Sequence, residues 1–591
     1  MVESSLSVGA TPINDIPRRY DPDRFAQYYR WRPWLVLWRS LQILIRFGGL
    51  VGGLQFDKWG NRAEQNVPLR AMQLRKLLTH LGPTFIKIGQ ALSTRPDLIR
   101  QDYLEQLTLL QDQLPPFANE QAFAIVEQEL QAPLEDLFAE ISENPVAAAS
   151  LGQVYKGKLY SGQTVAIKVQ RPGLPRKLAL DLHIVRQVIQ VLKPWLPINV
   201  SHDLSLIVDE FGIKLFEEID YQNEGRNAEQ FARNFADAPE VKVPAIHWKY
   251  SSQHVLTLEW IDGFKLSANE CMLDAKVNPD DLIRIGVEAG LRQLLEFGFF
   301  HADPHPGNLF ALADSRMAYI DFGMMDQLDQ DTKETLVDAL VHLTNKDYER
   351  LAQDFVRLGF LTPDTDIAPI IPALEDVFAD LLGASVREFN FKTITDRFSD
   401  LMYRYPFRLP AKFALIIRSL VTQEGVALCL NPDFKIVEVS YPYIAKRLLT
   451  EESPAFRRRL IEVLFKDGKF QWERLENLIA IARSDKSFDL VPTARMGLQY
   501  LWSEEGQFLR RQLILALTED NRLHTAEVQR LWQLVQADFQ PSRLINVALG
   551  ALADLSGEVV ANWSPWSVLP KVSSAVHTPE PERELATSRR R

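Results

Sequence analysis

At 591 residues the chain is long enough to bury several cores, and three or four domains are the starting expectation. Its 46% hydrophobic and 24% charged composition is that of a globular protein, and a net charge of −11 leaves no basic excess with which to bind nucleic acid. Two cysteines, Cys271 and Cys429, cannot form a disulfide framework, so a reducing, cytoplasmic or stromal-type compartment is expected, and no secretory signal is read at the N-terminus.

Residues 1 to about 20 carry few large apolar groups and are expected to be disordered. From Tyr28 to Leu54 the character changes: Trp31, Trp34 and Trp38 stand beside Arg30, Arg32, Arg39 and Arg46, with leucines and isoleucines between them. Such a segment suits a bilayer interface, and it equally suits a helix packed on the protein's own core. No apolar run reaches the roughly 18 to 20 residues of a spanning helix, so a peripheral membrane contact is expected rather than a crossing. Residues 67–112 read as helices, because Leu74, Leu77, Leu81, Phe85, Ile88 and Leu92 recur at three- and four-residue steps. Within them Lys87 and Gln90 share a polar face, ordinarily a solvated one.

A strand-rich segment follows. Ala147, Ala148, Ala149 and Ser150 form a small-residue loop leading to Gly152 and Val154, and Thr164 to Val169 alternates, placing Val165, Ile167 and Val169 on one face and Ala166 with Lys168 on the other. A lysine on the inner face of a strand about 20 residues after such a loop matches the kinase lysine that pairs phosphate oxygens. Buried, it needs a carboxylate. The helix-like run from Val208 to Phe231 offers Glu218, Asp220 and Glu224, and a single helix could address two lysines from two faces. Val255 to Gly263 has the form of a kinase hinge, an apolar strand ending in a turn where the backbone of Glu259 and Ile261 would meet adenine.

The chain is organised around His301 to Gly323. Asp303 precedes Asn308 by five residues and Asp321 by eighteen, the latter opening Asp321-Phe322-Gly323. A kinase catalytic loop has the same five-residue step and precedes an Asp-Phe-Gly that holds magnesium. Phosphoryl transfer asks the protein chiefly for positioning and charge neutralisation: one carboxylate toward the acceptor, an amide and a second carboxylate toward the metal. His301 and His305 are four apart, but Pro304 and Pro306 break the helix that a zinc site with that spacing requires.

Lys87-Ile88-Gly89-Gln90, the alanine loop, Val165 to Gly173, Glu218 to Tyr221 and His301 to Asn308 together resemble the UbiB/AarF-domain (ADCK-type) atypical protein kinase-like family over about residues 67–450. The resemblance implies an α+β, bilobal protein-kinase-like fold with a small β-rich N-lobe and a helical C-lobe. The expected boundaries are 1–66 for an N-terminal tail and amphipathic segment, 67–135 for a helical extension, 136–262 and 263–450 for the two lobes, and 451–591 for a C-terminal helical region and tail. It implies ATP and Mg2+ as cofactors, with Ala147, Ala148, Ala149, Ser150, Val154, Ala166 and Lys168 at the nucleotide. Glu224 would be the partner of Lys168, Asp303 the catalytic aspartate, and Asn308 and Asp321 the metal ligands. Lys87 and Gln90 would fold over the site as an occluding element, Lys87 reaching Glu218 or Asp220. The family supports isoprenoid-quinone or prenyl-lipid metabolism at membranes. The implied function is therefore an atypical kinase or ATPase acting beside quinone or prenyl-lipid enzymes, and the alternative is a nucleotide-gated scaffold for such enzymes.

Overall fold

The computed structural model describes residues 17, 19–93, 99–110, 115–192, 204–266, 277–344, 346–383, 405 and 407–450, with short pieces between 464 and 523. The chain forms two compact units, Met1–Ile444 and Ala445–Arg591. Within the second, the described pieces include two short antiparallel ladders, Phe465–Lys466 with Lys469–Phe470 and Thr518–Glu519 with Arg522–Leu523. The helices and tail expected over 451–591, and the disordered leader expected over 1 to about 20, otherwise lie outside the described residues.

The first unit opens with α1 (Pro22–Arg30), started by Asp21, whose carboxylate accepts from the Arg24 amide as an N-cap. Phe25, Tyr28 and Tyr29 of α1 are core residues, packed with Leu174, Leu178, Leu182 and Phe216. The N-terminal segment is therefore part of the globular unit. Helix α2 (Pro33–Trp59) is different: Asp57 is its one buried residue among those described. Where the sequence alone shows no run of spanning length, two helices among the described residues are long and apolar enough to cross a bilayer, α2 and Ala411–Leu430. This is a matter of length and composition alone, and the second helix contributes to the C-lobe core. Arg39 and Arg46 interrupt the apolar run in sequence but not the helix, since arginine is a good helix former, and their guanidiniums are bonded to Asp181 and to the His80 carbonyl.

Helices α3 (Val67–Leu81), α4 (Pro83–Leu92) and α5 (Gln101–Thr108) pack through Leu78, Leu81, Phe85 and Leu107. After α6 (Asn119–Leu130) and the short α7 (Leu134–Leu137) comes a five-stranded sheet in the order β1-β3-β4-β6, with β2 paired to β3. Its strands are β1 (Glu140–Ile141), β2 (Ala147–Ala148), β3 (Gly152–Lys158), β4 (Thr164–Gln170) and β6 (Val255–Glu259). Alternation decides its two faces. Val165, Ile167 and Val169 are fully buried against Ala122 and Val126 of α6, while Ala166 faces the other side with Leu256 and Leu258.

Between β4 and β6 lie α8 (Leu174–Leu192), α9 (Leu204–Glu218), α10 (Tyr221–Asn234) and β5 (Val241–Lys242). The single helix expected from Val208 to Phe231 is thus two. Asp220 breaks it: its backbone is extended at φ −89°, ψ 97°, and its side chain accepts from the Gln222 amide, capping α10. An aspartate satisfies the orphan amides of a new helix better than it continues an old one.

The C-lobe contains β7 (Phe264–Lys265), α11 (Pro279–Arg292), β8 (Phe299–His301), β9 (Leu309–Ala311), β10 (Met317–Tyr319) and β11 (Met325–Gln327). Strands β5-β10-β9-β7 form one small sheet and β11-β8 another. Helices α12 (Gln330–Thr344), α13 (Tyr348–Arg357), α14 (Ile370–Gly383) and α15 (Ala411–Leu430) close over Leu351, Leu361, Leu374, Leu409 and Phe413, the C-lobe's largest core. This is an α+β, bilobal, kinase-like arrangement.

Candidate functional site

Register places the site's lysine. Lys168 stands opposite Val154 on β3 and Leu256 on β6, so all three share the sheet face away from the buried valines. Val154, Ala166, Leu256, Leu258 and Trp260 surround the buried Tyr221 ring in one apolar cluster beside that lysine. Lys168 Nζ meets both Glu224 oxygens at 2.8 Å and lies 3.6 Å from Asp321 Oδ2. Burial works against the Lys168 ammonium, but Asp321 and Glu224 outweigh it and hold its pKa well above the ordinary lysine value. Glu224 is pushed up to about 7 by its own burial, against the pull of Lys168. Burial would also raise Asp321, yet Lys168 and the Gly323 amide bring it down to about 2. Lys168 therefore sits as a retained cation between two carboxylates.

The loop below is braced by His301. Its Nδ1 accepts from the Asp303 amide at 3.0 Å, so Nε2 carries the proton and donates to the Asp321 carbonyl at 2.8 Å. Burial lowers its pKa, in keeping with the neutral tautomer this pairing requires. The His301 amide is itself held by Gln293 Oε1 at 2.8 Å, from a π turn, Gln293–Phe297, that ends α11. Phe322 is buried on Phe231 of α10, with ring centroids 5.2 Å apart, and the Asn227 amide donates to the Phe322 carbonyl. One helix thus positions both Glu224 and the Asp-Phe-Gly turn. Asn308 ends a 3-10 turn, Pro306–Asn308, whose carbonyl accepts from the Ile320 amide. An Asp carboxylate and an Asn amide are hard oxygen donors of the kind magnesium takes, with phosphates and water completing the shell. Among the described residues no cluster of three or more His, Cys, Asp or Glu is arranged for a metal.

Of the two partners open to Lys87, the structure selects Glu218, at 2.5 Å with the side chains 7% and 11% exposed. Asp220 is occupied as the cap of α10. The polar face of α4 is therefore buried, and Glu218 stands against Gly323, where an added Cβ would lie 3.4 Å from Glu218 Cγ. Gln90 turns elsewhere, its Nε2 donating to the Leu110 carbonyl at 3.2 Å. The root of α4 is fixed by Asp181 of α8, a fully buried carboxylate. It accepts from Thr84 Oγ1 at 2.7 Å and from Arg39 Nε of α2 at 2.7 Å, while Arg39 Nη2 donates to the Leu81 carbonyl.

The alanine loop is strapped down by a residue that sequence reasoning passed over. Arg171 donates twice to the Ala149 carbonyl, at 2.9 and 3.1 Å, and once to that of Pro115 at 2.8 Å. Ser150, next in the loop, is fully buried. At the expected hinge, Glu259 ends β6, but its amide donates to the Ala245 carbonyl and its carboxylate accepts from Lys242 and from the Ala245 amide. Any contact with a base there falls to its carbonyl and to Ile261. Asp303 is also paired: Arg418 of α15 donates to its Oδ2 at 2.6 Å. No motif announces that arginine, 115 residues away on an apolar helix.

Comparison with known proteins gives the family. Residues 109–355 match the ABC1 atypical kinase-like domain, and residues 374–435 match the UbiB helical domain. An uncharacterized Synechocystis protein is 64% identical over 539 residues, covering 91% of this chain and 95% of that protein. The Arabidopsis thaliana protein named Activity of BC1 complex kinase 1, chloroplastic, is 46% identical over 543 residues, covering 89% of this chain and 79% of that protein. Among solved structures, the complex of Rv3197 with erythromycin from Mycobacterium tuberculosis is 25% identical, with a TM-score of 0.44, covering 66% of this chain and 97% of that one. The chain belongs to the ABC1, UbiB-type, atypical kinase-like family.

Proposed function

We propose that this chain binds an adenine nucleotide with Mg2+ and transfers or hydrolyses its terminal phosphate, as an atypical kinase or ATPase of the UbiB type. The observation that carries the reading is the triad Lys168, Glu224 and Asp321, in which one ammonium is held 2.8 Å from one carboxylate and 3.6 Å from the other. In a nucleotide complex Lys168 would address phosphate oxygens, oriented by Glu224. Asp321 and Asn308 would hold the magnesium, which would neutralise phosphate charge when bound. Asp303 would face the acceptor. Val154, Ala166, Glu259 and Ile261 would line the base, and Ala147 to Ser150 would cover the phosphates. Lys87, paired with the Glu218 that stands against Gly323, would occupy space that a peptide acceptor needs, which favours hydrolysis or a small or lipid-like acceptor.

The outward face of α2 supports a peripheral site of action at a membrane. Trp34, Trp38, Leu41 and Ile45 follow one another at four-, three- and four-residue steps and are 48–68% exposed. Aromatic rings at that position suit the headgroup region of a bilayer. We place the protein in quinone or prenyl-lipid metabolism, in a stromal-type reducing compartment, on the family resemblance and on relatives named chloroplastic. A second reading, a nucleotide-gated scaffold for quinone-synthesis enzymes, is favoured by the buried Lys87–Glu218 contact alone. Nucleotide hydrolysis by the purified protein, with and without anionic liposomes, separates the two. Magnesium-dependent turnover is expected, and nucleotide binding without turnover in either condition would favour the scaffold.

A further inference from the structure

Between Asp303 and Asn308 the loop carries no lysine or arginine of its own. Its cation comes from α15, where Arg418 Nη2 donates to Asp303 Oδ2 at 2.6 Å. The two side chains are 13% and 18% exposed, so this is an enclosed, charge-assisted contact and not a solvent-exchanging surface pair. Among the described residues, no other side chain is hydrogen-bonded to the Asp303 carboxylate. Helix α15, which carries Arg418, is seated on α11. There Gln423, buried, fills the space beside Gly290, and an added Cβ would come 2.2 Å from its Oε1. On the donor side Lys168 is already shared between Glu224 and Asp321. On the acceptor side, among the described residues, the cation bonded to Asp303 is the arginine that α15 brings.

We propose that Arg418 is a positioning residue for the acceptor half of the site, holding Asp303 by one carboxylate oxygen so that the other faces the attacking hydroxyl or water. The proposal rests on the phosphoryl-transfer reading above. In that step the acceptor oxygen forms a bond to the terminal phosphorus, and the bond from that phosphorus to the bridging oxygen breaks. The nucleoside diphosphate leaves with the electron pair, and the acceptor proton passes to Asp303. A carboxylate free to rotate would meet the acceptor in the wrong direction most of the time. A guanidinium fixes it through a planar, directional donor that a lysine ammonium reproduces only in charge.

The test uses the full-length protein with Mg-ATP for turnover and Mg-ADP for affinity, in wild type, Arg418→Met, Arg418→Lys, Asp303→Asn and the Arg418→Met/Asp303→Asn double variant. Arg418→Met is expected to lower kcat by about 10² while Mg-ADP affinity stays within about twofold. Arg418→Lys should keep part of that rate, about three- to tenfold below wild type, and the double variant should be no slower than the slower single one. An unchanged kcat in Arg418→Met, or a loss carried wholly by KM or by Mg-ADP affinity, overturns the inference. Should Arg418→Met fail to fold, Arg418→Lys decides, and a kcat equal to wild type would overturn it. A wild-type protein that binds Mg-ADP without turnover overturns this inference and leaves the nucleotide site standing, whereas one that binds no nucleotide overturns both.

Discussion

Replacing Lys87 by alanine tests whether α4 closes the site or merely borders it. A lysine on a solvated helix face would cost within about 0.5 kcal/mol to remove. The observed contact is of another kind: Lys87 Nζ is 2.5 Å from Glu218, with exposures of 7% and 11%. At that distance and an effective dielectric near 20 the attraction is about 6–7 kcal/mol, most of it offset by the desolvation of both ions. Removal of one partner leaves the desolvation without the attraction. Lys87→Ala should therefore cost about 3 kcal/mol, with Glu218 stranded beside Gly323 and the already ionised Asp321. Mg-ADP affinity should fall several-fold, because the unpaired carboxylate repels phosphate. Glu218→Gln removes that charge, so the double variant should recover part of both losses, with a coupling energy of about 1–3 kcal/mol. Urea unfolding supplies the stability and titration calorimetry the affinity. Additivity within about 0.5 kcal/mol, with Lys87→Ala indistinguishable from wild type, would refute the reasoning.

Asp321→Asn should weaken Mg-ADP binding by tenfold or more while leaving the unfolding midpoint within a few degrees, and equal affinity by calorimetry would remove Asp321 from the metal site. Exchanging Trp34, Trp38 and Ile45 of α2 for serine should abolish co-sedimentation with anionic vesicles without loss of stability, since all three are more than 60% exposed; unchanged sedimentation would return α2 to a soluble role. Deletion of residues 1–56 is the poorer test, because it also removes Phe25, Tyr28 and Tyr29 from the core. Asp329 precedes α12 and accepts from the Thr332 amide at 2.8 Å, and that bond first, then the Thr332 hydroxyl, depresses its pKa to about 2. A depressed carboxylate contributes fully above its unfolded value near 3.8 and loses that contribution as pH falls through about 2, so Asp329→Ala should cost about 1 kcal/mol at neutral pH, less at pH 2, and the difference should vanish only below it. A pH-independent difference in unfolding free energy would contradict the capping role.

What could be read without coordinates was whatever spacing alone constrains. Asp303, Asn308 and Asp321 sit on one short segment, and the alternation of β4 assigns Lys168 to a face whichever strand lies beside it. That Lys168 needs a carboxylate was legible because a buried lysine must have one, but the choice of Glu224 over Glu218 and Asp220 came only from the family resemblance. Contacts made across long separations were not legible. Arg418 lies on a helix whose apolar composition conceals a single functional cation, and Arg171 is a loop arginine until the Ala149 carbonyl is beside it. Asp220 was misjudged for a local reason: periodicity carried across it from Val208 to Phe231, while its preference for capping outweighed that periodicity. The burial of Lys87 could not be read from α4 itself, because a polar face is solvated or buried according to what is laid against it.

The carboxylate of Asp181 has a mechanical consequence. Three helices remote in sequence are tied at that one point: α2 through Arg39, α4 through Thr84, and α8, which carries Asp181 itself. Lys87 is one turn beyond Thr84 on the same helix. Swinging α4 outward alone takes the Thr84 hydroxyl from Asp181, which keeps Arg39, and parts Lys87 from Glu218 of α9; the second loss, that of a buried partner, is the larger at about 3–5 kcal/mol. Such a state is confined to roughly one molecule in 10² to 10⁴. The knot thus fixes the root of α4 through a neutral hydroxyl, and the ion pair one turn further on is what holds its far end down.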